Sequence, residues 1–285
     1  MNRKSRILVT LTSVVLALAI SALAQSSDSQ QEEHFVRNFA VNSGSTLAVE
    51  NYKGTIHVSG GEGNQIVVTV DKKFEGTDSD RKWWMVNTRV SFENNPTRVR
   101  VGVQYPNVNC AWMCDDHSNY TGVVELTIQV PRHTNLDIKG YKPDMRLSAI
   151  DGDIRISSYK SPVDIESTTG AIKIDTYKET VRLHGVSIRG SLHLEMEKGE
   201  ALIEAKNLGD EVSIETEKGS VELRVPRNAG LTVDFSGSRR SEFRSDLPIS
   251  SEAGFHSSEV RGTINGGGTR LHLRTGRGSF SIEGS

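Results

Sequence analysis

This 285-residue chain is poor in aromatics, poor in cysteine and has no surplus of one charge. Aromatics make up 6% of it, and its closing residues, Ile282-Glu283-Gly284-Ser285, do not end in one. A transmembrane β-barrel needs aromatic girdles at both membrane interfaces, so that class is set aside. Long apolar runs are confined to the first two dozen residues, and nothing later approaches the roughly 20 residues that a spanning helix needs. Basic and acidic side chains number 34 and 36, a balance that leaves neither a nucleic-acid footprint nor a polybasic membrane stripe. Catalytic signatures are missing too. There is no Gly-x-Ser-x-Gly elbow, no Gly-x4-Gly-Lys phosphate loop and no His-Glu-x-x-His helix. Gly266-Gly267-Gly268 precedes a strand rather than a helix, so it lacks the setting of a phosphate site.

The N-terminus carries an address. Arg3, Lys4 and Arg6 form a positive region, Ile7 to Ile20 an apolar one, and Ala22-Leu23-Ala24 a small-x-small cleavage pattern. Residues 1–24 therefore read as a secretory signal, with the periplasm, the cell surface or the medium as destination. No cysteine follows the apolar run, so no lipid-modified terminus is expected. Cleavage removes three basic residues and no acidic one, leaving 31 against 36, a net charge of −5. Residues 25–35 are polar and cannot bury a core, which predicts a flexible tether.

What the remainder does have is a returning phrase, glycine followed by alternating apolar residues. It occurs as Gly54-Thr55-Ile56-His57-Val58, Gly152-Asp153-Ile154-Arg155-Ile156 and Gly170-Ala171-Ile172-Lys173-Ile174. It returns as Gly190-Ser191-Leu192-His193-Leu194, Gly219-Ser220-Val221-Glu222-Leu223 and Gly278-Ser279-Phe280-Ser281-Ile282. Two strands with their turns make a unit of about 20 residues, which predicts an all-β solenoid over residues 36–285. Ile154, Ile156, Val163, Ile165, Ile172, Ile174, Val181, Leu183, Leu192 and Leu194 should face inward. Arg155, Asp164, Lys173, Arg182 and His193 should face solvent. The rival is an antiparallel sandwich. The N-terminal part is less regular, with strands expected over Val86 to Phe92 and Val99 to Val103. A long loop is predicted over 104–122 and an irregular excursion over 236–258. Arg270 to Arg274 and Ser279 to Ile282 should form a last pair of strands that closes the chain.

Candidate sites are few. Cys110 and Cys114 are the only cysteines, and in an exported chain a disulfide is their expected state. The alternative is a metal site that adds His117 and Asp115 or Asp116. Trp84, Trp112, Asp115, Asp116 and His117 form the candidate contact surface. Of adjacent Trp83 and Trp84, only one can face out of a strand. Asp151, Asp153, Asp164 and Asp175 raise the question of a polysaccharide-cleaving β-helix, but they sit at ordinary turn and solvent-facing positions. No catalytic residue, metal or cofactor is expected.

The stretch from Leu47 to Val58, with Glu50-Asn51-Tyr52-Lys53-Gly54 at its centre, resembles the opening of the bacterial putative adhesin domain family. Val130-Pro131 before Leu136-Asp137-Ile138, the later glycine rungs and the closing run from Gly267 to Ile282 are similar to that family as well. The resemblance implies a right-handed parallel β-solenoid or β-roll in the bacterial envelope and no catalytic residue. The 104–122 loop departs from the family pattern.

The expected function is that of an exported, non-enzymatic envelope or surface protein. Its repetitive surface would meet an envelope protein, a glycan or cell-wall material, with no nucleic acid and no membrane span. The alternatives are a polysaccharide-acting enzyme, which would gather three or more carboxylates in one groove, and a structural protein that self-associates through open solenoid ends.

Overall fold

The computed structural model describes residues 33–106, 122–251 and 258–285. The signal, residues 25–32 of the tether, and Cys110, Trp112, Cys114, Asp115, Asp116 and His117 lie outside the described residues. Glu33–Phe35, expected in the tether, already belong to the first strand.

Alternating apolar residues become strand almost throughout. The elements begin with β1 (Glu33–Ala40), β2 (Thr46–Gly61), β3 (Gln65–Lys73), α1 (Asp78–Asn87), β4 (Arg89–Asn95) and β5 (Arg98–Gln104). They continue with β6 (Val123–Pro131), β7 (Asn135–Ser148), β8 (Ile154–Lys160), β9 (Val163–Glu166) and β10 (Thr169–Asn207). The last five are β11 (Glu211–Val225), β12 (Leu231–Gly237), β13 (Glu242–Ser245), β14 (Glu259–Ile264) and β15 (Thr269–Gly284).

The body is a stack of parallel rungs, each with two halves joined at a corner. On the first half, Leu136 pairs with Ile154 and Ile154 with Ile172, an interval of 18 residues. Leu192 pairs with Val212, and Val212 with Leu271. On the second half, Met145 pairs with Val163 and Val163 with Val181, then Ala201 with Val221 and Val221 with Phe280. The ten residues expected to point inward are each at most 2% exposed. Each such side chain contributes roughly 1.5–3 kcal/mol by leaving water, but only because a neighbouring rung covers it. The expected outward residues are exposed or half-exposed. The parallel register rules out the antiparallel sandwich.

Both ends are closed by strands taken out of chain order. At one end β5 and β6 together make a rung below β2, so β2 lies between them and β7. Antiparallel strands then cover that rung: β4 lies on β5, β3 on β6, and β1 on β3. At the other end β12 and β13 make the outer rung, and β15 is inserted between them and β11. β14 covers β12 in antiparallel fashion, and its outer edge exchanges two 2.9 Å hydrogen bonds between Thr263 and Ser250.

Two local expectations are corrected. Val86 is not in a strand but near the end of α1, which Thr77 caps by accepting from the Asp80 N–H, with Asp78 and Asp80 in its first turn. The excursion over 236–258 contains β13, held because Phe243 packs on Phe235 with ring centroids 5.1 Å apart. The strands expected over Arg270 to Arg274 and Ser279 to Ile282 do end the chain, as the single element β15, although β12 and β13 lie beyond it in the stack.

The corners need glycine for a specific reason. Gly219 has φ +148°, and a Cβ there would sit 1.8 Å from the Gly199 carbonyl oxygen of the adjoining rung. Glu179 occupies the equivalent corner position with φ +119°, a conformation that L residues adopt only at a cost. Gly219→Ala should therefore lower stability by about 3 kcal/mol, whereas Glu179→Gly should raise it by about 1 kcal/mol, strain relief outweighing the entropy of an added glycine. Thermal unfolding of the two variants checks both signs, and a destabilised Glu179→Gly would refute the strain.

Candidate binding ridge and groove

The corner between rung halves repeats in chemistry as well as shape. It reads Asn51-Tyr52-Lys53-Gly54, Gly140-Tyr141-Lys142-Pro143, Ser158-Tyr159-Lys160-Ser161 and Thr176-Tyr177-Lys178-Glu179. It continues as Met196-Glu197-Lys198-Gly199, Thr216-Glu217-Lys218-Gly219 and Thr275-Gly276-Arg277-Gly278. Strand register sets Lys53 beside Lys142, Lys160 beside Lys178, Lys198 beside Lys218 and Lys218 beside Arg277. Seven successive rungs thus carry a cation at one position.

The tyrosines before these lysines form a stack. Ring centroids are 4.8 Å apart for Tyr52 and Tyr141, 4.7 Å for Tyr141 and Tyr159, and 4.6 Å for Tyr159 and Tyr177, with interplanar angles of 5°, 13° and 15°. That separation is the spacing of neighbouring β-strands, so the backbone presets the stack. Ring faces cover one another while ring edges and hydroxyls reach solvent. Lys142, Lys160 and Lys198 place their ammonium groups 5.1–5.5 Å from the centroids of Tyr141, Tyr159 and Tyr177. The Lys198 ammonium also donates to the Tyr177 hydroxyl at 3.3 Å.

One end of the stack is fastened by Tyr105, the last aromatic before the 107–121 segment. Its hydroxyl donates to the Lys53 carbonyl at 2.6 Å and accepts from the Val124 N–H at 3.0 Å. Asn51, buried at the same corner, donates to the Val124 carbonyl at 3.0 Å. Burial pushes the Tyr105 phenol far above its usual range, although the two backbone hydrogen bonds pull the other way. The Lys53 amine is held below the usual lysine range, first by burial and second by the neighbouring Lys142 charge.

Beyond Tyr177 the corner column changes to Glu197, Glu217 and Gly276, and a groove of about 820 Å³ opens beside the ridge. It crosses from Gly140 on β7 to Gly276 on β15. Asp175, Glu195, Glu197, Glu215 and Glu217 give it five carboxylates, with Arg274 at the far side. The Thr216 and Thr275 hydroxyls also line it, are buried, and have no hydrogen-bond partner among the described residues. The Thr176 hydroxyl accepts from Ser158 at 2.9 Å. Asp175, His193 and Glu195 each offer one ligand atom within 4.8 Å of the others, the one group among the described residues able to hold a metal ion.

The opposite face is mixed in charge and carries two smaller hollows of about 580 and 460 Å³, both bordered by Arg182. Arg182 pairs with Asp164 at 3.5 Å, His184 with Glu204 at 2.7 Å, and Arg224 with Glu222 and Glu283.

Trp84 is corrected as a contact residue. It is 1% exposed and packs on Phe74 and Tyr105 with centroids 5.5 and 6.2 Å away, while Gly122 lies against its indole. Helical geometry puts its neighbour Trp83 outside, at 43% exposure. The other candidate contact residues and both cysteines lie outside the described residues. Of the four questioned aspartates, Asp151 binds Arg189 and His133, Asp153 accepts from the Ala171 N–H, and Asp164 pairs with Arg182. Asp175 alone enters the groove. The tyrosine and lysine columns were not singled out from sequence, yet Tyr-Lys at 141, 159 and 177 recurs at the same 18-residue interval as the rungs.

The chain matches the profile of the Toastrack DUF4097 domain over residues 41–283. It belongs to that family. The Toastrack match spans the rungs from β2 to β15 and so includes ridge and groove together. No curated protein matches the chain. Among solved structures, a putative cell adhesion protein from Clostridium sporogenes is similar at 10% identity and a TM-score of 0.36, covering 90% of this chain and 100% of its own. A putative adhesin from Bacteroides fragilis is similar at 11% identity and a TM-score of 0.28, covering 89% and 97%. One from Parabacteroides merdae stands at 9% and 0.23, covering 88% and 96%. Likeness this distant does not bear on what the Toastrack chain does. No helix among the described residues is long and apolar enough to cross a membrane.

Tyr105→Phe should cost about 1–3 kcal/mol in chemical denaturation, because it strands the Val124 N–H. The raised phenol also has a sign. Above pH 10 the unfolded chain loses this proton while the folded chain keeps it, so stability from Tyr105 is full below the ordinary value of 10.0 and falls as pH rises past it. A wild-type minus Tyr105→Phe titration at tyrosinate wavelengths should show no step near pH 10. Lys142→Gln should raise the Lys53 pKa without restoring the usual value, since burial is the larger cause. NMR titration of the amine reads this directly.

Proposed function

We propose that this protein is an exported envelope or surface protein that holds an extended glycan or cell-wall chain in the groove beside the tyrosine ridge, without turning it over. Export rests on the signal read at residues 1–24. The observation that carries the binding reading is the groove's continuity across successive rungs. Carboxylates recur there at strand spacing and can accept from sugar hydroxyls. Repetition of this kind suits a polymer, whose units are each held weakly and together held well.

A second reading has its own support. Five carboxylates in one groove exceed the pair that a polysaccharide-cleaving enzyme requires, one as acid and another as base or nucleophile. Self-association through open ends has less support, since antiparallel strands cover both halves of one end rung and one half of the other.

The test is binding of the purified exported chain to an array of neutral glycans and isolated cell-wall material, with Glu195→Gln/Glu215→Gln alongside. Saturable binding that weakens about tenfold in the double variant, with no product released, is the expected result. Product release from any array member overturns it in favour of the enzyme. A silent array also overturns it, and concentration-dependent size in solution would then support self-association.

A further inference from the structure

We infer that the lysine column along the corner is a second, separate binding site, and that its ligand is a linear acidic polysaccharide of the polyuronate class laid parallel to the stack axis. The inference takes from the preceding reading only that the protein meets envelope polymers, and it uses none of the groove's carboxylates, although Tyr159 and Tyr177 border both.

Four observations carry it. First, the cations form a line: Lys53, Lys142, Lys160, Lys178, Lys198, Lys218 and Arg277 occupy one corner position on seven successive rungs, although the chain as a whole is slightly acidic. Second, most of the line is not neutralised, although Lys198 pairs with Glu197 at 3.5 Å. Lys142, Lys160, Lys178, Lys218 and Arg277 have no carboxylate within 4.0 Å among the described residues, whereas face cations such as Lys173, Arg182 and Arg270 are paired across or along strands. Third, over the stretch from Lys142 to Lys160 the flanking corner positions are uncharged, tyrosine before and Pro143 or Ser161 after. Fourth, like charges are crowded there, since Lys142 helps hold the Lys53 amine below its usual range, and an anion between the rungs would relieve that repulsion.

Spacing and surroundings choose among anions. The tyrosine stack measures the rung interval as 4.6–4.8 Å. A polyuronate carries one carboxylate per sugar ring, so an extended chain presents charge at a comparable interval. The tyrosine hydroxyls and ring edges beside the lysines give its sugar hydroxyls partners. Duplex nucleic acid is far denser, at about one charge per 1.7 Å of axis. Single strands are held by bases stacking on open aromatic faces, and here the tyrosines cover one another's faces. A bilayer offers a plane, whereas these cations form one file. A single exposed lysine holds an anion weakly, so affinity must come from the number engaged together.

The experiment is calorimetric titration of the purified protein with oligogalacturonates of increasing length, fully methyl-esterified oligogalacturonate, and polyphosphate. Affinity should climb steeply with length from two to eight units and fall with salt. The ester should not bind. The triple variant Lys142→Gln/Lys160→Gln/Lys178→Gln should bind the longest acid about tenfold or more weakly with a shallower salt dependence. Arg182→Gln, on the opposite face, should change nothing. Unchanged binding in the triple variant overturns the site. Equal binding of the ester or of polyphosphate overturns the ligand class, and no binding of the acid at low salt overturns both. The thermal midpoint of the triple variant reports its folding, and if it folds poorly, Lys160→Gln alone should still weaken binding about twofold. Loss of acidic-polymer binding alone leaves the groove reading standing. Acidic-polymer binding beside a silent neutral array supports this inference and refutes that reading.

Discussion

Backbone hydrogen bonds between parallel rungs hold successive strands roughly 4.8 Å apart, and in this chain they also bring the same repeat position to the same place on every rung. Much of the structure is that register written out. Apolar positions stack into four buried columns, which is why Ile154, Ile172 and Leu192 need one another more than they need any distant partner. Glycine stacks at corners where the adjoining carbonyl leaves no room for a Cβ. Tyrosines meet at ring-stacking distance without any special adjustment of the chain. The same rule that makes these columns favourable makes the lysine column costly, because like charges are also set side by side.

Function inherits that geometry. A rung offers one short set of groups, and the stack multiplies it along a straight axis. The groove and the ridge are therefore suited to long partners with repeating chemistry rather than to one small molecule. The ridge and groove also differ in sign, one cationic and the other rich in carboxylates, within a few ångströms of a shared corner. A mixed-charge opposite face, where Arg182, His184 and Arg224 have their own partners, has no comparable unmet demand.

The repeat and the inward columns were legible in sequence because period-two alternation is a direct statement about which side of a strand is dry. Ile154 through Leu194 were placed correctly on that basis alone. Trp84 was not, since the alternation that separates Trp83 from Trp84 in a strand also separates them in a helix, and only the Thr77 cap and the acidic first turn distinguish the two. The groove could not be read from spacing, because Asp175, Glu195 and Glu215 look like ordinary outward residues until register aligns them. The Tyr-Lys column was readable from its interval, but at 141, 159 and 177 it is followed by Pro143, Ser161 and Glu179, so the glycine phrase does not mark it. The out-of-order ends left no local trace, because β12 and β15 have equally good alternating patterns and only long-range pairing decides which lies inside.

Those interleaved ends bear on how the chain assembles. β15 follows β12, β13 and β14 in the chain but lies before them in the stack, and it meets β11 across a sequence separation of 59 residues, as at Glu211 and Arg270. β2 is likewise interior although it precedes the rung beneath it. A solenoid whose rungs follow chain order can zip from one end, each turn templating the next. This one cannot be completed that way at either terminus. Its outer rungs wait for an inner one to arrive, so closure of both ends depends on contacts of long sequence separation, which are the slow ones to form. The order of the rungs is thereby set by topology and not by propagation of the repeat from one end.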